Sequence, residues 1–501
     1  MSLAVINTRA KLGLSAPQVS VEVHLSNGLP AFNIVGLPET AVKESKDRVR
    51  SAIINSHFEF PNQRITVNLA PAELPKGGSR FDLPIAIGIL AASNQIPVDQ
   101  LSNYEFIGEL ALSGELRGVE AVLPGAIACA QQRRRLIISQ HNATEAALVE
   151  PLTVLPAKHL LEVSAHLYQA KLIPPWPATR VNALVDYPQF KEVIGQQQAK
   201  RGLEIAAAGG HHILMFGPPG TGKSMLASRL PGILPTMDNS EALQVTSIHS
   251  LVNRDLRPHI LQRPFRSPHH SASAAAMVGG GSAPQPGEIS LAHHGVLFLD
   301  EFPEFQRSVL EVLREPMETG EIHISRVAAQ LTYPAQFQLV AAMNPCPCGY
   351  LGSARCQCAA EQINRYHSKI SGPILDRIDL HVRVNPIDNH QLLQPQPHQI
   401  GESNETILRR VCNARALQLT RQGVINSRLD NQQLIEVCPL NQQQQDFMDG
   451  AINSFHLSTR SFHRVLKVAR TIADLSGLET PDIPQYQEAL SYRSSFKHSS
   501  C

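Results

Sequence analysis

The sequence predicts an α/β multidomain protein built around a phosphate-binding parallel sheet. Three observations carry that expectation. Gly217, Pro218, Pro219, Gly220, Thr221, Gly222, Lys223 and Ser224 fit the phosphate-loop pattern G-x-x-x-x-G-K-[ST]. The stretch stands between a short apolar run, His212-Ile-Leu-Met-Phe216, and the helix-forming Met225-Leu-Ala-Ser-Arg-Leu230, the strand–loop–helix context the motif requires. Downstream, Val296-Leu-Phe-Leu-Asp-Glu301 is an apolar strand that ends in two carboxylates. From about 186 to 386, strand patterns alternate with helical ones, as in a parallel sheet joined by crossover helices.

The rest of the chain divides by composition. Residues 1–170 mix strand-like runs, Gln18 to His24 and Arg64 to Leu69, with apolar helices such as Leu83 to Ser93. This predicts a first, α+β domain. Residues 171–185 read as a linker, because Ile173-Pro-Pro-Trp-Pro-Ala is too proline-rich for a packed helix; it holds the chain's only tryptophan, Trp176. A second linker, 387–403, is polar and rich in Gln and Pro. Residues 404–501 carry helical periodicity and almost no strand signal. Their clearest helix runs from Leu457 to Leu475, with Ser458 or Thr459 as N-cap and Gly477 as stop. The tail beyond Tyr492 is expected to fray.

The chain has 501 residues, a net charge of +1, 43% apolar and 17% charged residues. That balance describes a soluble globular protein and argues against a generally basic nucleic-acid binder. It leaves room for a local basic lining inside a ring or channel. No run of about 20 apolar residues predicts a membrane span, and the first ten residues lack the apolar core of a secretion signal. Eight cysteines, four of them crowded into one segment, together with a nucleotide site predict a reducing, cytoplasmic setting.

Each motif residue has a chemical task. The loop glycines let backbone N–H groups close on phosphate oxygens. Lys223 reaches the β- and γ-phosphates of ATP, and the Ser224 hydroxyl holds Mg²⁺. Asp300 suits the same metal, and Glu301 suits polarising an attacking water. Phe337 to Asn344 is another apolar strand, and an asparagine at its end can orient that water. Val193 to Lys200 is placed to line an adenine pocket. Arg377 stands between Asp376 and Asp379. It reads either as a local surface ion pair, worth little, or as an arginine finger presented to a neighbouring subunit's ATP. Cys346, Cys348, Cys356 and Cys358 form two Cys-x-Cys pairs. Four thiolates can satisfy tetrahedral Zn²⁺ and leave no open position for catalysis. One intervening residue is tighter than the usual spacing, and reduced buried cysteines are the other reading.

With these residues in view, the middle of the chain resembles the AAA+ superfamily in its magnesium-chelatase and MCM-like branch. GEISLAHHGVLFLDEFPEF (Gly287 to Phe305), AAMNPCPCG (Ala341 to Gly349) and GPILDRIDLHV (Gly372 to Val382) carry the likeness. Nearly the full length is similar to the ComM/YifB family of bacterial Mg-chelatase-like ATPases. The resemblance implies roles position by position. Lys223 and Ser224 match Walker A, Asp300 and Glu301 Walker B, Asn344 sensor 1, and Arg377 the trans-acting finger. Arg460, at the head of the lid helix, matches the sensor 2 arginine, with a solvated helix arginine as its plainer reading; Arg464 is a second candidate. A trans-acting finger implies a ring, by analogy a hexamer. Arg263 to Ser282 corresponds to an insert that faces a ring's pore, and Gly320 to Tyr333, whose first arm alternates polar and apolar, to the pre-sensor hairpin. Arg266 and Arg326 are then the cations placed to meet DNA phosphates. His269 and His270 read equally as a packing or hydrogen-bonding element.

Residues 1–170 resemble the Lon-protease-like fold, also found in ribosomal protein S5, through Leu74 to Pro84 and Gly108 to Arg117. Aligning on Pro75-Lys76 and Gly108-Glu109 puts Arg80 at the nucleophilic serine and Leu123 at its lysine partner, with Ser79 one residue off. A serine without a base is too weak to cleave amides. The block is therefore expected to be structural or DNA-facing. Lys76, Arg80 and Arg133-Arg134-Arg135 are its cations, and a solvated surface is the other reading of that run. The family resemblance implies an ATP-driven hexameric motor on single-stranded, forked or branched DNA. It would be a helicase that promotes branch migration of transforming DNA, alongside recombination proteins. A metal-chelatase ATPase subunit and a nucleotide-gated scaffold are the rival readings.

Overall fold

The computed structural model describes residues 3–177, 187–252, 262–281, 285–326, 329–387 and 401–493. The chain folds as two units, Met1–Ala183 with Asn239–Ile260, and Leu184–Asp238 with Leu261–Cys501.

The first unit contains β1 (Leu3–Arg9), β2 (Gln18–Ser26), β3 (Ala31–Val35), β4 (Arg64–Ala70), β5 (Tyr104–Ile107), β6 (Glu109–Leu110), β7 (Leu116–Arg117), β8 (Arg135–Ser139) and β9 (Val154–Ala157). Seven of them form one mixed sheet in the order β3-β4-β2-β1-β5-β8-β9, and β6 pairs with β7 in a small ribbon. The β1–β2 and β2–β4 pairs are antiparallel, and the other pairs of the sheet are parallel. Along β2 the apolar residues Val19, Val21, Val23 and Leu25 are buried and the residues between them are not, the period of two expected for a half-buried strand. Helix Asp82–Ala92 is buried at every residue. A helix apolar all round belongs inside a core, and here Gly88 permits the approach: a Cβ there would lie 2.5 Å from Val23 Cγ2.

Two segments go elsewhere than composition suggests. Helix Asn239–Ser250 lies within the expected core span but belongs to the first unit, where Leu243 packs on a cluster that includes Val122 and Leu123. Trp176 joins the same cluster, and its amide donates to Val154 O at 2.9 Å. The proline-rich stretch thus begins as an extension of the β9 edge, because extended backbone can borrow the open edge of a sheet. Residues 178–186, most of the second linker and the tail from 494 lie outside the described residues.

The second unit contains β10 (Ile213–Phe216), β11 (Phe265–Arg266), β12 (Gly279–Gly280), β13 (Gln285–Pro286), β14 (Val296–Leu299), β15 (Glu321–Arg326), β16 (Ala329–Pro334), β17 (Gln338–Met343) and β18 (Leu380–Arg383). Five form a wholly parallel sheet, β11-β14-β17-β10-β18. β10, β14 and β17 are buried at every position, which explains why they read as apolar runs and not as alternations. β15 and β16 form the expected hairpin. The C-terminal helices, Asn404–Gln422, Asn431–Val437, Gln442–Phe455, Thr459–Leu475 and Ile483–Ser491, share one core with the sheet. Val411, Val465 and Ile472 lie in the same cluster as Ile213, Val340 and Val382. Helix Thr459–Leu475 starts at Ser458, whose side chain accepts from the Ser461 amide, and Gly477 beyond its end has φ +69°.

Candidate active site

The parallel strands all end at one edge, where open α/β sheets bind their ligands. Phe216 pairs with Met343, and Leu299 with Ala341. The segments that follow β10, β14 and β17 therefore meet: the phosphate loop, Asp300-Glu301 and Asn344. Gly220 (φ +76°) and Gly222 (φ +87°) take left-handed conformations that glycine adopts without cost. Gly217 runs so close to β18's continuation that a Cβ would lie 2.1 Å from Val384 O.

Lys223 Nζ donates to Gly217 O (2.8 Å), Pro218 O (2.9 Å) and Asn344 Oδ1 (3.2 Å). Burial lowers its ammonium below the ordinary lysine value, and nearby Asp300 opposes the shift. Ser224 Oγ donates to Asp300 Oδ2 at 2.6 Å, and Asp300 Oδ1 accepts from the Glu301 amide at 2.9 Å. Adjacent hydroxyl and carboxylate oxygens are the hard donors that Mg²⁺ takes, and the loop amides with Lys223 suit phosphate. The residues present thus fit ATP with Mg²⁺. Pro219 meets Gly349 across the site, and the Thr221 hydroxyl donates to Pro218 O at 2.9 Å. Gln196 donates to Thr221 O (3.3 Å) and Asn385 O (2.7 Å), which brings the Val193–Lys200 segment onto the loop.

The arginines are placed differently from one another. Arg377 is buried, 5% exposed, with Nη2 2.5 Å from Glu318 Oε1 and Nη1 donating to Pro373 O at 2.7 Å. Its acceptor is not either flanking aspartate. Asp379 instead binds Arg464, which also donates to Arg377 O at 3.0 Å, and His211 Nδ1 lies 3.1 Å from Asp379. Burial works to raise the Asp379 carboxyl, but Arg464 and His211 outweigh it and hold it well below its usual range. Arg460 is exposed in the first turn of helix Thr459–Leu475. Neither Arg377 nor Arg460 bonds Lys223, Asp300, Glu301 or Asn344. Arg266 makes a bidentate pair with Glu288, both bonds 2.7 Å, so it is a neutralised cation and not a free one. Arg326 closes β15, and its side chain lies outside the described set.

Sequence reasoning left His270 undecided and missed Glu318. His270 Nδ1 stands 2.8 Å from Glu301 Oε2, and its ring lies 4.1 Å from that of His269. Glu301 has φ +51°, a conformation uncommon outside glycine and typical of functional sites. The doubled histidine was a visible signal; nothing near Glu318 marked it, because its partner lies 59 positions away in sequence.

The four cysteines converge, each sulfur within 4.8 Å of the others. Amides of Tyr350 and Gln357 directed at Cys348 draw its thiol down to about 6, and burial pushes Cys346 up to about 12. In the first unit, Ser79 donates to Glu109, Lys76 to Pro71 O, and buried Arg80 to Glu120 O and Ala121 O.

Residues 189–392 match the family described as magnesium chelatase, subunit ChlI; 401–493 match its C-terminal part, and 21–142 match subunit ChlI of Mg-chelatase. Competence protein ComM of Haemophilus influenzae is 50% identical over 499 residues, 98% of each chain. The uncharacterized protein YifB of Escherichia coli is 50% identical over 495 residues, 98% of this chain and 97% of that one. The magnesium-chelatase 38 kDa subunit of Cereibacter sphaeroides is 26% identical over 174 residues, 31% of this chain and 52% of that one. Half-identity along the whole length, over a parallel sheet that gathers Lys223, Asp300 and Asn344 at one edge, makes this chain a member of the ComM/YifB family of Mg-chelatase-like AAA+ proteins.

Proposed function

We propose that the chain is an ATP-hydrolysing hexameric ring motor on DNA, working in the cytoplasm. Its action is that of a helicase promoting branch migration in natural transformation and homologous recombination. The observation that carries hydrolysis is the meeting of Lys223, Ser224, Asp300, Glu301 and Asn344 at one sheet edge. Mg²⁺, when bound, offsets the charge of the phosphate oxygens. The protein's own groups do the rest. Loop amides and Lys223 orient the phosphates, and Ser224 and Asp300 hold the metal. Glu301 would accept a hydrogen bond from the attacking water and take its proton as the bond to phosphorus forms, and Asn344 would orient that water beside the γ-phosphate. Arg377 from the next subunit stabilises charge that develops in the transition state, and Arg460 from the lid side assists.

DNA as substrate is supported by full-length similarity to a protein named for competence, and by the β15–β16 hairpin that carries Arg326. The chelatase alternative is disfavoured by degree of likeness: the 38 kDa chelatase subunit of Cereibacter sphaeroides is 26% identical over 31% of the chain, against 50% over 98% for ComM of Haemophilus influenzae. The first unit is a Lon-like domain without proteolytic function. Ser79 is hydrogen-bonded to a carboxylate and not to an amine, and Arg80 fills the place of the nucleophile with a buried guanidinium.

The test is ATPase and strand exchange on forked and four-way DNA. The wild type is expected to hydrolyse faster with DNA and to migrate branches. Lys223→Ala abolishes both activities, and Glu301→Gln lowers turnover by roughly 10²- to 10⁴-fold. ATPase indifferent to DNA, with no strand exchange, counts against the motor and favours the nucleotide-gated scaffold.

A further inference from the structure

Cys346 Sγ stands 3.3 Å from Cys348 Sγ and 3.9 Å from Cys356 Sγ, and Cys348 and Cys356 are 3.7 Å apart. Cys358 completes a set whose members all lie within 4.8 Å. Four thiolates at about 2.3 Å from one zinc occupy a tetrahedron with edges of about 3.8 Å. The observed separations bracket that edge. They exceed the roughly 2.05 Å of a disulfide, and they are too close for sulfurs spread around the several irons of a cluster. Core-filling cysteines are among the most buried side chains, yet only Cys346 is buried here and the other three are partly exposed. We propose that Cys346, Cys348, Cys356 and Cys358 bind one Zn²⁺ that staples the Asn344 segment to the phosphate loop, so that zinc and ATP strengthen each other's binding.

The backbone is built for that task. Amides of Gly349, Ser353 and Cys356 donate to Cys346 O, Tyr350 O and Ser353 O at 3.0, 3.0 and 3.1 Å. These successive turns, with Gly349 (φ +84°) and Gly352 (φ +87°) in left-handed conformations, fold the second Cys-x-Cys pair back onto the first. The excursion starts at Asn344 and ends in helix Ala360–Ser368, which returns to its starting point. The Tyr366 hydroxyl lies beside the Asn344 amide, and His367 Nε2 lies 2.9 Å from Pro345 O. On the other side, Gly349 presses on the phosphate loop so closely that a Cβ there would lie 2.7 Å from Pro219 Cδ. Asn344 itself bonds Lys223 at 3.2 Å. One loop therefore touches both the water-orienting residue and the phosphate cradle. A tetrahedral ion at its centre removes the loop's freedom before ATP arrives, which lowers the entropy that ATP binding must overcome.

Coupling of this kind is reciprocal: the factor by which zinc tightens ATP is the factor by which ATP tightens zinc. The inference rests on ATP binding at Lys223 and not on DNA as substrate, so it is tested on the full chain without DNA. Metal analysis is expected to find one zinc per chain, absent from a Cys356→Ser/Cys358→Ser variant. Wild-type protein stripped by a chelator and reloaded with Co²⁺ should show the intense visible bands of tetrahedral thiolate coordination, a reading that does not depend on the variant's folding. Competition with a chromogenic chelator should show ATP tightening zinc by about 5-fold or more, an effect lost in Lys223→Ala while its zinc remains. A wild type that holds neither zinc nor Co²⁺, or a double variant that keeps its zinc, overturns the metal site. Equal competition with and without ATP, in protein that binds a fluorescent ATP analogue, overturns the coupling. Zinc without binding of the analogue faults the nucleotide reading, and the coupling with it.

Discussion

Arg377 shows how much one side chain's surroundings decide. Its guanidinium is buried and tied to Glu318, which sits in helix Arg314–Thr319 immediately before β15. To act as a finger on a neighbouring subunit, Arg377 would have to leave Glu318. Arg377→Ala is expected to keep ATP binding and lose about 10³-fold in turnover. Mixing offers a sharper measurement. Arg377→Ala protomers have intact phosphate loops, and Lys223→Ala protomers have intact fingers. If the finger acts between subunits, the mixture recovers ATPase that neither variant has alone; a mixture as inactive as its parts contradicts the trans role. Of the candidate residues, those in the two Walker motifs were legible from the local pattern, because backbone curvature, lysine and carboxylates follow one another within a few positions. Glu318, His270 and Tyr366 were not, since each acts on a partner brought close only by folding.

At the scale of elements, helix Thr459–Leu475 anchors the lid through one buried carboxylate. Asp474 receives Arg421 (2.7 and 3.1 Å), Arg470 (2.5 Å) and Asn426 (2.8 Å), and its side chain is fully buried. Removing it takes the carboxylate from two arginines, one of them almost wholly buried and left with only the Leu478 and Glu479 carbonyls. Asp474→Ala is therefore expected to cost about 3–5 kcal/mol in denaturant unfolding. Ser458→Ala, which at the other end deletes the N-cap bond from the Ser461 amide and the hydroxyl bond to Ser461 Oγ, should cost about 1 kcal/mol. A loss at Asp474 no larger than that at Ser458 would refute the anchor. The helix's start and stop were readable from capping chemistry. Its ion network was not, because Arg421, Asn426 and Asp474 lie on separate elements.

At the scale of the molecule, the second unit buries histidines in the neutral form. His212 Nδ1 accepts from the Leu339 amide and His293 Nδ1 from the Gln336 amide, each at 3.0 Å, and an accepting nitrogen carries no proton. Burial holds His212 down to about 4 and His293 down to about 3, each aided by neighbouring cations or histidine. An unfolded histidine titrates near 6.5. Below that pH the unfolded chain binds more protons, so this stability is complete above about 6.5 and is lost as pH falls toward 4 and 3. At pH 5 the two together should cost about 4 kcal/mol. The thermal midpoint is expected to fall between pH 7 and 5, and less steeply in His212→Asn and His293→Asn; parallel profiles would contradict this assignment. Phosphate loop, acidic strand end and hairpin rest on interactions within a few residues, and the alternation of strand and helix is written in local periodicity, so the order of residues determines them. Tertiary structure alone decided that helix Asn239–Ser250 joins the first unit, that Arg266 and Arg377 are already paired, and that four cysteines meet in a loop whose Gly349 abuts Pro219. Each of these depends on which distant surface a segment finds to bury, and pattern along the chain does not encode that.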